Sequence, residues 1–316
     1  MLIASVLISG CMLRVAYEQL DWLTLWYADD YLDLSKPQKA TAKAAIVELL
    51  DWHRTTQLPR YLQISNQLLE QIGKPMSPAF LECEFNEFVG VLDDSLLKVS
   101  PDIAALLESL GDAQVTHLSA RLARENKEME SDYSGSSREE RRRKQDKAIM
   151  RVFRRYVGRL DGTQEEMIRK ATAEFHDLSA EWLQRRTQWQ NEFRQLLDVR
   201  KTDPDFAARV TTLFVDQNQF DSPDYRRRVE ENKVRAFAMI ADVLGSLSDA
   251  QTRHLRKRLA TDSADMAILI RRGANHPDAG EPAAPDRSAL SRSGSMGSSV
   301  NSTEKYRTRC GAEERT

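Results

Sequence analysis

Two fifteen-residue stretches constrain this chain more than any other feature. Ser109-Leu110, Asp112-Ala113-Gln114, His117-Leu118 and Arg121-Leu122-Ala123 recur in register as Ser246-Leu247, Asp249-Ala250-Gln251, His254-Leu255 and Arg258-Leu259-Ala260, so ten of fifteen positions agree. Helix composition alone does not give that agreement; a duplicated helical unit does. Two looser copies, Leu34-Ser35-Lys36-Pro37-Gln38 and Leu160-Asp161-Gly162-Thr163-Gln164, assign two such helix starts to each half. Three of the four have the residues of a capping box, in which the Gln side chain reaches back to the N–H of the cap residue, and the fourth has Gly111 in place of the cap side chain but keeps its Gln. The expected fold is all-α, an elongated multi-helix bundle of two similar units at about 35–133 and 161–272.

Composition agrees with helix. Apart from Gly10, the stretch before Gly273 holds seven glycines and seven prolines, the prolines mostly at helix edges, and charge of both signs suits exposed helix faces. Apolar residues from Leu13 to Tyr31 recur at threes and fours and predict one amphipathic helix over 14–34. Ser35 restarts the chain into a helix to about Thr56, Pro59 opens the next to Ile72, Ser77-Pro78 another, and Ser100-Pro101 a shorter one to Leu110. Gly111 begins a helix to about Met129, and 132–137 reads as a turn. Ile168, Phe175, Trp182, Trp189 and Leu196 stand seven apart, a seam that predicts a single helix from Asp161 to about Arg200, roughly 60 Å long. Asp203-Pro204 opens a short helix, Ser222-Pro223 one to Leu247, and Ser248 a last one to Arg272. Residues 273–316 are rich in Ser, Gly, Pro and Ala and too poor in large apolar side chains to order themselves, so a disordered tail is expected.

The chain begins with a short apolar run, Leu2 to Ile8, followed by Ile8-Ser9-Gly10-Cys11, the pattern of a bacterial lipobox. The run is far short of the ~20 residues that span a bilayer, and the small residues behind it read as a processing site. Residues 1–10 are therefore expected to be a lipoprotein signal peptide, its basic start truncated, with Cys11 the lipidated residue and 11–272 the helical domain. Met12 rather than Asp after the cysteine fits delivery to the outer membrane.

Behind the lipobox, Tyr17, Leu20-Asp21-Trp22, Trp26, Asp29-Asp30-Tyr31-Leu32-Asp33-Leu34, Gln38 and Trp52-His53-Arg54 resemble the opening of a family of uncharacterised Gram-negative lipoproteins, the domain of unknown function 6279, over about Cys11 to Arg272. The resemblance implies an all-helical envelope lipoprotein and transfers no catalytic residue. The Leu-Ser/Asp-x-x-Gln starts are also similar to the Leu-Thr-x-x-Gln motif of Spy-type periplasmic chaperones, although no Thr stands at the second position and the chain is much longer.

Candidate chemistry is sparse. Asp29-Asp30-x-x-Asp33 has the spacing of a magnesium-holding aspartate motif, but no second motif accompanies it, and the acids read as a solvated helix end or partners for nearby Arg. His53, His117, His176, His254 and His276 are scattered without an HExxH pattern or a Cys/His cluster. His117 and His254, at equivalent repeat positions, suit a helix-to-helix hydrogen bond. With Cys11 lipidated, Cys83 and Cys310 form no disulfide framework or zinc pattern, and Cys83 reads as a small buried hydrophobe. The helix at 138–159 carries Arg141, Arg142, Arg143, Arg151, Arg154 and Arg155, a candidate interaction face for the phosphate groups of anionic lipid, lipopolysaccharide or nucleic acid. Acids inside it, and Glu230-Glu231 behind Arg226-Arg227-Arg228, favour salt-bridged solvated faces, and a net charge of −2 argues against a nucleic-acid surface.

The expectation is a non-enzymatic lipoprotein anchored in the outer membrane and facing the periplasm. It would use no metal, cofactor or small-molecule substrate, and would play a structural or interaction role toward another envelope protein. A Spy-like binder of unfolded clients is the alternative.

Overall fold

The computed structural model describes residues 11–216 and 218–274. Ile8, Ser9 and Gly10 of the lipobox, the Cys11 side chain and the tail from residue 275 lie outside what is described. Among the described residues every regular element is helical.

The first half contains α1 (Cys11–Glu18), α2 (Leu20–Leu32), α3 (Lys36–Trp52), a π-helical turn (His53–Gln57), α4 (Leu58–Gln71), α5 (Pro78–Glu108) and α6 (Asp112–Ser134). The second contains α7 (Arg138–Val157), α8 (Gly162–Ala173), α9 (Ser179–Asp198), α10 (Phe206–Val215), α11 (Pro223–Gly245) and α12 (Asp249–Ala274). Caps explain many of the starts. Ser77 accepts from the Phe80 N–H and Ser222 from the Tyr225 N–H, each just ahead of a proline that is harmless in the first turn. Ser137 and Glu140 close a capping box at α7.

The duplication extends to the packing. In one half α2 lies against α3 and α6, and α3 against α5; in the other α7 lies against α8 and α12, and α8 against α11. α5 and α11 meet between the halves. The continuations then cross over: α4 packs on α12, and α9 packs on α6. At the first of these crossings the Ser65 and Ser263 hydroxyls meet at 2.8 Å in the interior. Each half thus finishes its hydrophobic surface on the other.

Two larger cores and a smaller one result. Leu34, Leu107, Leu110, Leu118, Leu196, Leu197 and Val210 lie in the first, Met150, Val157, Leu160, Ile168, Val243 and Leu255 in the second. Tyr17, Leu58 and Leu269 form the third, where α1 meets α12 and the π-turn.

Several boundaries differ from the sequence pattern. The expected helix over 14–34 is broken at Gln19, so α1 and α2 turn separately. The shorter helix expected at Ser100-Pro101 is instead continuous with α5. Pro101 has no N–H for the Leu97 carbonyl, but the fully buried Ser100 hydroxyl donates to that oxygen at 2.9 Å. α6 runs past Met129 to Ser134, which narrows the expected turn.

The long helix expected from Asp161 to Arg200 is two, broken between Ala173 and Ser179. At the break the Asn232 side chain on α11 acts as a surrogate ladder partner: its Oδ1 accepts the His176 N–H (2.8 Å) and its Nδ2 donates to the His176 carbonyl (3.0 Å). Asp177 accepts the Ser179 N–H while Arg141 grips its other oxygen at 2.7 Å. Of the seven-residue seam, Ile168 and Leu196 are buried, while Phe175, Trp182 and Trp189 are half-buried around the break. Cys83 also differs from expectation, being half-buried rather than buried.

Candidate functional site

The repeated Gln residues meet in two pairs. Gln164 Nε2 donates to Gln251 Oε1 at 3.1 Å, and Gln251 Nε2 returns to Gln164 Oε1 at 2.8 Å. Gln38 and Gln114 do the same at 3.3 and 2.9 Å. Each Oε1 also accepts the N–H of its own cap residue, Ser35, Gly111, Asp161 or Ser248. The second N–H of each carboxamide reaches the loop before the opposite helix. Gln38 bonds Ser109 as Gln164 bonds Ser246, and Gln114 bonds Asp33 as Gln251 bonds Arg159. Both halves therefore build the same clasp of two helix starts.

Leu34, Leu110 and Leu160, which precede three of these starts, are buried, and Leu247 is half-buried. Leu118 and Leu255 are buried alike, and Leu122 and Leu259 half-buried alike. His117 Nε2 lies 3.3 Å from the Asp30 carbonyl, between α6 and α2, and His254 lies against Gly158 at the end of α7. The motif residues hold helices together, and Leu118, Leu122 and Ala123 also line a small pocket against α9.

Arg200, which the sequence reading passed over, secures the first clasp. Although nearly fully buried, it donates to the Leu110 carbonyl (3.0 Å), the Leu197 carbonyl (2.9 Å) and Asp112 (2.5 Å). A lone Arg after an apolar run gives no signal of burial.

Helix α1, which includes Cys11, packs on α12, where Glu18 pairs with Arg272. Tyr17 is buried, its hydroxyl 2.9 Å from His53 Nδ1 and 3.3 Å from the Leu50 carbonyl. Burial, with Arg54 adding to it, pushes the His53 imidazole down to about 4. Burial also raises the Tyr17 phenol and takes Tyr61 up to about 12. His53 is consequently neutral near pH 7 and shares a hydrogen bond with the Tyr17 hydroxyl, which donates to the Leu50 carbonyl. α2 buries Leu32 and packs Leu25, Ala28 and Tyr31 on the first core, while Trp22 and Trp26 stack outward at 6.5 Å between centroids.

The aspartate motif is taken up by structure. Asp29 accepts the Leu34 N–H and pairs with Lys39, Asp30 pairs with Arg121, and Asp33 is the left-handed residue that ends α2. Among the described residues no group of three or more His, Cys, Asp or Glu side chains could hold a metal ion.

The six arginines proposed from the sequence lie along α7 but do not act alike. Arg141 is half-buried, bound to Asp177 and the Ser136 carbonyl and stacked over the Tyr133 ring at 4.3 Å. Arg154 pairs with Glu165, whereas Arg142, Arg143, Arg151 and Arg155 are exposed. Arg227 and Arg228 are bridged to Asp224, with Glu231 and Glu181 completing the network. Arg138, Arg141, Arg142 and Lys144 edge an open cleft of about 940 Å³, closed on its far side by the 174–178 break. There His176 Nε2 meets Glu231 at 2.5 Å, and the hydrogen bonds from His176 and Arg227 hold the Glu231 carboxyl below its ordinary range. A separate, partly exposed stripe follows α5 through Phe85, Phe88 and Leu92, with Phe85 against the Phe237 ring and Phe88 against Tyr61.

Duplicated clasps, crossed-over halves and mixed-charge faces define an all-helical protein whose repeated residues serve architecture. Residues 30–226 match the model of a family of unknown function, DUF6279, and the chain belongs to that family. The match is narrower than the resemblance read from Cys11 to Arg272, leaving Tyr17, Trp22 and Trp26 ahead of it. No curated protein and no solved structure matches the chain.

Proposed function

We propose that this chain is a lipid-anchored protein of the cell envelope, held through Cys11 to the periplasmic side of the outer membrane, with a non-catalytic structural or protein-interaction role. One observation carries the reading: the lipobox cysteine belongs to helix α1, and α1 packs on α12. A lipid at that position would hold the folded body close to the bilayer, without an intervening tether. The exposed arginines of α7 and the cleft beside them are the face offered to an envelope partner. No described helix is long and apolar enough to cross a membrane. Attachment of this kind therefore depends on the acyl chains, and two such signals are commonly needed for stable anchoring.

The test is metabolic labelling with a fatty acid in a Gram-negative host. Full-length protein should incorporate label and fractionate with the outer membrane, and Cys11→Ala should do neither. Equal labelling of the two would overturn the reading.

The α5 stripe favours a second reading, a Spy-like binder of unfolded clients, because contiguous exposed apolar surface marks interaction sites. Under that reading Phe88→Ser/Leu92→Ser would weaken suppression of client aggregation and leave the melting temperature unchanged.

A further inference from the structure

The outward face of α1 and α2 has no counterpart in the core. Val15 stands on α1, ahead of the break at Gln19, while Trp22 and Trp26, four residues apart on α2, share one helical face. They are exposed by 51, 61 and 48%, and Tyr27 beside them by 39%. Trp22 and Trp26 stack at an interplanar angle of 20°, and Tyr27 meets Trp26 edge-on with centroids 5.0 Å apart. α2 is thus apolar on two sides, with only the Leu25, Ala28, Tyr31 and Leu32 side partnered. A large aromatic surface left in water is costly, and the exposed rings of this face are mostly Trp and Tyr.

We propose that Trp22, Trp26 and Tyr27 dock in the headgroup region of a bilayer, near the lipid on Cys11. This rests on the lipoprotein reading above. Indole and phenol rings pair an apolar body with a polar group, and for that reason Trp and Tyr collect at membrane interfaces rather than in the acyl core. Position agrees: α2 follows α1 after the single residue Gln19, so Trp22 and Trp26 lie in the first two turns beyond the helix that carries Cys11. Charge narrows the lipid. From Cys11 to Leu32 the only basic residue is Arg14, against Glu18, Asp21, Asp29 and Asp30. Binding therefore needs no anionic lipid and is little affected by salt.

The experiment uses the full chain purified from a Gram-negative host and mixed with phosphatidylcholine vesicles whose acyl chains are brominated or plain. Tryptophan emission should fall by a third or more in the brominated vesicles, at low and high salt alike. Trp22→Ala/Trp26→Ala should abolish that fall and keep the melting temperature, since both side chains are exposed. Equal emission in the two vesicles, quenching unchanged by the double substitution, or a concentration-dependent dimer that the substitution dissolves would each overturn the proposal. Fatty-acid labelling of the same samples separates the two readings. Labelled but unquenched protein rejects this face alone; quenched but unlabelled protein supports the face and rejects the anchor.

Discussion

Gln164 and Gln251 face each other across the second half with both carboxamides donating and accepting, and Gln164 is fully buried. Replacing Gln164 by Ala strands the Asp161 N–H and the Ser246 carbonyl as well as its partner, so a loss of about 1–3 kcal/mol is expected. Gln251→Ala should cost less, roughly 0.5–2 kcal/mol, and Gln114→Ala about the same as Gln251→Ala. In a double-mutant cycle by urea unfolding, Gln164 and Gln251 should couple, whereas Gln164 and Gln114 should add independently. Additive costs within the pair would mean that the clasp stores nothing beyond two separate caps.

Ser100 is expected to matter more than a buried serine usually does. Ser100→Ala removes the donor that replaces the N–H Pro101 lacks, and should destabilise by about 1–3 kcal/mol. Combining it with Pro101→Ala should restore most of the loss by supplying a backbone N–H to the Leu97 carbonyl. A double variant no more stable than Ser100→Ala would refute that account.

His53 supplies a pH dependence. Its folded value of about 4 lies below the ordinary 6.5, so the unfolded chain binds the proton more readily. The associated stability is complete above pH 6.5 and is lost as pH falls through 6.5 toward 4, amounting to about 3 kcal/mol. His53→Gln should flatten the pH profile of chemical unfolding across that window relative to wild type. Parallel profiles for the two proteins would show that His53 does not titrate against burial.

Arg200 offers a fourth test. Arg200→Met keeps the length of the side chain but leaves the Leu110 carbonyl without its donor, and should cost about 1–3 kcal/mol. Hydrogen exchange should quicken first at the start of α6. Acceleration spread evenly over the molecule would place the role of Arg200 elsewhere.

Much of this was legible beforehand, and the rest was hidden for identifiable reasons. Repetition and capping residues announced the helix starts, because a cap is a local interaction written in consecutive residues. The pairing of the glutamines was not legible, since it joins positions 76 and 87 residues apart. The break after Ala173 carries no Gly or Pro, because its cause, Asn232, sits on another helix. Pro101 misled in the opposite sense: the residue that rescues the helix is its own neighbour, but only burial makes that hydroxyl decisive. The arginines of α7 were visible as a row of charge, while the division between Arg141, tied to Asp177, and the open Arg142 depended on the fold.

The crossing of α4 onto α12 and of α9 onto α6 bears on how such a protein can arise and be taken apart. A chain of half the length would expose the faces of its outer helices and could cover them only by exchanging those helices with a second copy of itself. Fusing two such copies head to tail turns an assembly that dissociates on dilution into one that cannot. Cutting the chain between Ser134 and Arg138 should return it to that condition: two fragments, each incomplete alone, that recover a common fold when mixed.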